Sequence, residues 1–250
     1  MPESDVAFFV RQLGASEAHR YVSFKRRERQ RQFLLGRMLV RLVVSRVTAL
    51  PPYAVGIVER DSAGPALVLP DSHSCQLSFS LSHSRNWVAC ALSTSSTLGV
   101  DIEVKNATRD VSSISDLAFD PEEHRWLLSL PDTARQSAFY QLWCTREALY
   151  KLMSNLGRDG VLCPVVSSDG VFATQGPGWH RYILPHSSLV MAVCSDRPLS
   201  ALYTVKLPRL TRKDWPQSEF RSNRAIWPLK LRSGHATCPL GTSGVTQNLI

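Results

Sequence analysis

A chain of 250 residues with a net charge of +8 and 44% hydrophobic residues can build one large domain or two small ones, with the balance of a globular protein. No uncharged run is apolar enough to cross a bilayer, and acids precede the short apolar run at the N-terminus, so neither a membrane protein nor a secretory signal is expected. The six cysteines show no metal-binding spacing and read as free thiols in a reducing cytosol, which predicts a cytoplasmic protein. Between Arg20 and Arg46 the only acid is Glu28, and a second basic excess follows Lys206. That distribution suits a polyanionic ligand or an acidic protein partner.

In chain order, residues 5–15 read as a first strand and turn, and Ser16 as the cap of a helix start. A long helix is predicted from 28 to about 48, because Phe33, Leu34, Met38, Leu39, Leu42 and Val43 recur at threes and fours. Its arginines fill the other faces as a solvated surface, with one or two left to reach a ligand. Pro51-Pro52 ends it. Short strands follow at 56–59 and 66–69, separated by a turn over 61–65. Leu77, Phe79 and Leu81 then alternate with serines, and this strand runs into Ser82-His83-Ser84. His83, between two hydroxyls, can donate to a phosphate or serve structure alone. A strand at 87–92 and a serine-rich turn at 93–97 lead into Leu98-Gly99-Val100-Asp101-Ile102-Glu103-Val104.

In this last stretch apolar residues alternate with acids, so Asp101 and Glu103 share one face of a strand. Two carboxylates so placed repel each other unless a cation joins them. A hard ion such as Mg²⁺ suits them; the plain alternative is the solvated face of an edge strand. Helices are predicted at about 110–118, 121–130 and 132–156, the last stopped by Gly157. On it Glu147 and Lys151 stand four apart and face one way, as part of a site or as an ordinary surface ion pair. Residues 161–205 return to short strands, and 190–195 echo 87–93 in character. The division expected is an N-terminal half at 1–98, a C-terminal half at 99–205 carrying the acids, and a basic tail at 206–250, disordered or loosely attached.

Four segments in this order resemble the 4′-phosphopantetheinyl transferases, specifically the larger monomeric kind that activates peptide and polyketide synthetases. They are Ser82-His83-Ser84, Gly99-Val100-Asp101-Ile102-Glu103, Phe119-Asp120-Pro121-Glu122-Glu123, and the run from Trp143-Cys144-Thr145-Arg146-Glu147 to Lys151. The resemblance covers roughly 5–205. It implies an α/β (α+β) fold of two similar halves related by a pseudo-twofold, each a small, mostly antiparallel sheet packed with a long helix, with coenzyme A between them. It also implies transfer of phosphopantetheine to a serine of an acyl or peptidyl carrier protein and release of 3′,5′-ADP.

By the same resemblance, Asp101, Glu103 and Glu147 hold Mg²⁺, Glu147 is the base for the carrier serine, and Lys151 holds the α-phosphate. Ser82 and His83 contact nucleotide phosphates, Arg20 falls where the family has a basic residue for the 3′-phosphate, and Glu123 supports the metal shell or Lys151. Gly64 stands before Pro65, and Gln32 before the apolar run of the long helix, where many relatives have a basic coenzyme A contact. Arg31, Arg60 or Arg27 are the substitutes. The carrier docks on about 152–182. Two rival readings are a family member that binds coenzyme A or carrier without turnover, and a basic nucleic-acid binder. The second explains the charge but not the acids, so no nucleic-acid partner is expected.

Overall fold

Pro2 is extended, Glu3 and Asp5 place negative charge in the first turn, and Val6, Phe9 and Val10 recur at helical spacing. These residues form α1 (Glu3–Val10), not the strand expected there. The period over this run is three to four, and Phe9 is wholly buried. The computed structural model describes residues 1–60, 64–71, 76–158, 165–166, 171–184, 186–207 and 209–216. It divides into two compact units. The first comprises the described residues of Met1–Phe79, of Cys90–Ser95 and from Leu199 to 216; the second comprises those of Ser80–Ala89 and Ser96–Pro198.

In the first unit, α2 (Ala15–Ser23) starts one residue before the expected cap. Gly14 occupies the cap position, and its N–H donates to the Glu17 carboxylate at 2.8 Å. The long helix α3 (Arg27–Thr48) is present as predicted and closes on Ala49, which takes a left-handed φ of 61°. Its arginines do not all face solvent. Arg37 and Arg41 are buried, and both reach the wholly buried Glu17, Arg41 Nη1 at 2.9 Å; Arg37 also pairs with Glu59. Two cations thus satisfy carboxylates that burial would otherwise make costly, and they tie α2 and the residue just after β1 to α3. β1 (Gly56–Val58) and β2 (Ala66–Val68) form the small antiparallel sheet anticipated, while 61–63 of the predicted turn lie outside the described residues.

Part of the supposed tail belongs to this unit. Leu210 and Trp215 are buried with Phe9, Leu34 and Met38, and the Trp215 ring meets Phe9 edge-on with centroids 5.5 Å apart. Residues 217–250 lie outside the described residues.

β3 (Ser78–Ser84) and β4 (Trp87–Ser93) pair as a hairpin whose turn sets Arg85 at a φ of 50°. The second unit is built on β5 (Leu98–Val104), β6 (Gln175–Gly176), β7 (Trp179–Leu184) and β8 (Leu189–Ser195), in the antiparallel order β5-β8-β7-β6. The helices α4 (Val111–Ala118), α5 (Pro121–Ser129) and α6 (Asp132–Asn155) follow the predicted bounds to within a residue or two. Leu142, Cys144, Ala148, Leu149 and Leu152 of α6 join Ala192 and Cys194 of β8 in one core. Helices beside small antiparallel sheets make this the α+β class expected.

Candidate active site

Gly99 decides how β5 lies on α6. A Cβ built on it would stand 1.9 Å from the Ala148 carbonyl oxygen and 2.6 Å from the Leu152 nitrogen, so only hydrogen fits between the two backbones. The strand's period of two then turns Asp101 and Glu103 to the same side as Gly99, the side of α6, while Val100 and Ile102 are buried on the other. The plain reading of a solvated edge strand is therefore overturned: Asp101 is 6% exposed.

The outer edge of β5 is nevertheless met by side chains. Lys151 Nζ donates to the Val100 carbonyl at 3.0 Å, and Asn155, four residues on, donates to the Leu98 carbonyl at 2.8 Å. The N–H groups of Val100, Ile102 and Val104 donate to the hydroxyls of Ser80, Ser82 and Ser84 at 3.0, 3.2 and 3.0 Å. Among the described residues no strand pairs at these groups; side chains take its place.

Lys151 also donates to Asp101 Oδ1 at 2.7 Å, and Ser82 donates to the same oxygen at 2.7 Å. Asp101 Oδ2 is buried without a hydrogen-bond partner. Ser84 donates to Glu103 at 2.9 Å. Glu147 lies one helical turn before Lys151. Burial raises its pKa first, Asp101 and Glu103 raise it further, and Lys151 opposes them. Glu103 is likewise pushed up by burial, against the pull of its Ser84 hydrogen bond and of Arg109. Sequence reasoning did not single out Arg109. Its guanidinium lies 5.4 Å from the Tyr140 ring centroid, and the Tyr140 hydroxyl accepts the Asn106 N–H at 2.9 Å. Three acids therefore repel one another, with Lys151 acting on all three and Arg109 on Glu103, and one buried oxygen of Asp101 lacks a partner. Among the described residues no three acids, histidines or cysteines are already drawn together as a metal cluster.

Glu123 goes elsewhere than expected. It is wholly buried, accepts the Val165 N–H at 2.9 Å, and forms its ion pair with Arg146 rather than with Lys151. Asp120 caps α5 by accepting the Glu123 N–H at 2.9 Å and also faces Arg146 at 3.4 Å. Neighbours on a helix point about 100° apart, so Arg146 fastens α6 to α5 while Glu147 turns toward β5. Phe119 and Trp143, also in the recognised segments, pack with Phe139.

His83 is exposed between the buried Ser82 and Ser84. The other two predicted contacts belong to the first unit. Arg20 is exposed on α2 with its guanidinium 5.4 Å from the Phe24 ring centroid, and Arg31 makes a surface ion pair with Glu3 at 3.0 Å. Within the expected carrier-docking stretch, 159–164 and 167–170 lie outside the described residues. No described helix is long and apolar enough to cross a membrane.

Residues 97–163 match the model of the 4′-phosphopantetheinyl transferase superfamily, and residues 2–95 match that of the N-terminal part of such transferases. The chain is 30% identical over 216 residues to the 4′-phosphopantetheinyl transferase Sfp of Bacillus subtilis, covering 76% of this chain and 91% of that protein. It is 31% identical over 150 residues to the transferase HetI of Nostoc sp., covering 60% of this chain and 63% of HetI. It is 27% identical over 172 residues to the transferase AcpT of Salmonella typhimurium, covering 69% of this chain and 80% of AcpT. The chain belongs to the 4′-phosphopantetheinyl transferase family.

Proposed function

We propose that this protein moves 4′-phosphopantetheine from coenzyme A to a serine of an acyl or peptidyl carrier protein, in the cytoplasm, with Mg²⁺ as its metal and 3′,5′-ADP as the released product. The observation that carries the reading is the set of Asp101, Glu103 and Glu147 around Lys151, with Asp101 Oδ2 buried and unpartnered. An all-oxygen set of carboxylates is the donor chemistry a hard dication takes, so the residues present fit Mg²⁺. Asp101, Glu103 and Glu147 would hold the ion, and its charge would offset the negative charge that builds on the departing ADP.

The remaining work falls to side chains. Lys151 gives a point charge to the α-phosphate of coenzyme A, in exchange for its present bond to Asp101. The carrier serine hydroxyl loses its proton to a Glu147 carboxylate oxygen, and the serine oxygen bonds to phosphorus as the bond to the ADP oxygen breaks. Burial and the neighbouring acids, which raise the Glu147 pKa, make it a better proton acceptor than an open carboxylate. Ser82 and the exposed His83 are the proposed contacts of the nucleotide phosphates, Arg20 that of the 3′-phosphate, and Arg31, Arg60 or Arg27 the substitute for the basic contact missing at Gly64. The net charge of +8 favours an acidic carrier and predicts encounter rates that fall with salt. The described cysteines, Cys90, Cys144 and Cys194, are free and buried, in keeping with a reducing compartment.

Intact-mass measurement of apo carrier proteins incubated with this protein, coenzyme A and Mg²⁺ tests the reading. A gain of one phosphopantetheine group, absent without Mg²⁺ and absent with Asp101→Ala, is expected. No gain on any carrier by folded protein that binds coenzyme A would leave a binding function only.

A further inference from the structure

The sequence of β3, Ser78-Phe79-Ser80-Leu81-Ser82-His83-Ser84, puts Ser80, Ser82 and Ser84 on one face of the strand. Each hydroxyl accepts a backbone N–H of β5, from Val100, Ile102 and Val104 in turn. A serine hydroxyl has one proton to give, and an accepted N–H restricts the directions in which it can be given. Two of the three protons go to acids: Ser82 Oγ donates to Asp101 Oδ1 at 2.7 Å, and Ser84 Oγ donates to Glu103 Oε2 at 2.9 Å. Ser80 makes the same backbone bond, but the β5 residue in the corresponding place is Gly99, which has no carboxylate. The alternation of serines thus does two things at once, closing the strand edge and holding the acids.

We propose that Ser82 and Ser84 are positioning residues for the two β5 carboxylates, binding one oxygen of each and leaving Asp101 Oδ2 and Glu103 Oε1 for a divalent cation. The inference rests on the metal reading above and adds to it. A hydroxyl that fixes one oxygen of a ligand limits rotation of the carboxylate, and loss of such a partner costs about 10–100-fold in metal affinity. Ser84 is the cleaner test, because Ser82 is also expected to meet a phosphate. Ser80 is its built-in control: Ser80→Ala and Ser84→Ala each remove one hydroxyl that accepts a β5 N–H, yet only Ser84→Ala frees a carboxylate.

The test is titration of Mn²⁺ into each protein with coenzyme A present, read by the loss of free-ion signal in electron paramagnetic resonance, beside a thermal melt of each variant. Ser84→Ala is expected to weaken Mn²⁺ binding by about 10–100-fold, while Ser80→Ala binds as the parent does and melts about as low as Ser84→Ala. Ser84→Cys, which keeps the shape but donates weakly, gives the same readout if the alanine variant does not fold. Equal Mn²⁺ affinity in Ser84→Ala and the parent overturns the inference, and so does equal weakening by Ser80→Ala. An Asp101→Ala variant separates the two levels of failure. If it binds Mn²⁺ as the parent does, or if the parent binds none, the metal reading itself falls and takes this inference with it.

Discussion

Replacing Gly99 by alanine sets a methyl group against the backbone of α6. The new Cβ would lie 1.9 Å from the Ala148 carbonyl oxygen, 2.6 Å from the Leu152 nitrogen and 3.0 Å from the Ala148 carbonyl carbon, whereas ordinary contact begins at 3.4 Å. All three obstacles are main-chain atoms of a helix interior, so no rotamer change relieves them. Strand and helix must part by about 1.5 Å at this point to restore van der Waals distance. Overpacking of this kind costs about 1–3 kcal/mol and more where nothing yields; with rigid backbone on both sides the expected loss is about 3 kcal/mol. For a chain of this size that lowers the melting temperature by about 6–12 °C. The displacement begins two residues from Asp101, whose bond to Lys151 is 2.7 Å. A misplacement of about 1 Å in such a site costs about a hundredfold in rate. Melting by circular dichroism, with phosphopantetheine transfer measured well below the transition, reads both effects on one sample. A Gly99→Ala protein that melts within about 2 °C of the parent, well short of the shift expected for a chain of this size, and transfers at the parental rate would refute the close-approach argument.

Other consequences follow from contacts far from that crossing. Arg146→Ala leaves the wholly buried Glu123 without its cation and should destabilise the protein by about 3–5 kcal/mol in denaturant unfolding; adding Glu123→Gln should recover part of the loss, and a cost near zero would mean the pair is idle. Trp215→Ala empties a site packed on Phe9 and should cost about 3–5 kcal/mol by the same measurement, whereas a loosely attached segment would cost almost nothing. Gly157→Ala meets no atom within 4 Å but must hold a φ of +66°, so a loss of about 1 kcal/mol with the transfer rate unchanged is expected. A fall in rate equal to that of Gly99→Ala would show that any loosening of α6 disables the site.

What could be read from the chain alone is what repeats along it. The threes and fours of α3, and the alternation of β5, are properties of neighbouring residues, and both elements stand where their periods put them. The same arithmetic placed Asp101 with Glu103 and Glu147 with Lys151, each pair on one face of its own element. It misread 5–15, where the apolar run Phe8-Phe9-Val10 hides the helical spacing of Val6, Phe9 and Val10 that buries Phe9 with residues of α3 and Trp215. The arginines of α3 were harder still. On a helical wheel Arg37 and Arg41 stand beside Leu34 and Val44, away from Arg29, Arg31 and Arg46, but nothing local reveals that Glu17 waits opposite them.

The serines make the sharpest case, because their pattern was visible and their purpose was not. In the chain alone, alternating Ser80, Ser82 and Ser84 name no partner within the protein, since a hydroxyl beside water needs none. Their hydroxyls are instead set against β5, where an exposed sheet edge would otherwise leave N–H groups unpaired. A backbone strand could have satisfied those groups equally well, but its carbonyls have no proton to give. A hydroxyl accepts from the N–H and still donates, so the same residue that closes the edge can hold a carboxylate. Serine at every second position is the simplest sequence that does both. The choice between a solvated face and this one depends wholly on which strand lies alongside, and that is a fact about the fold, carried by residues some twenty positions away.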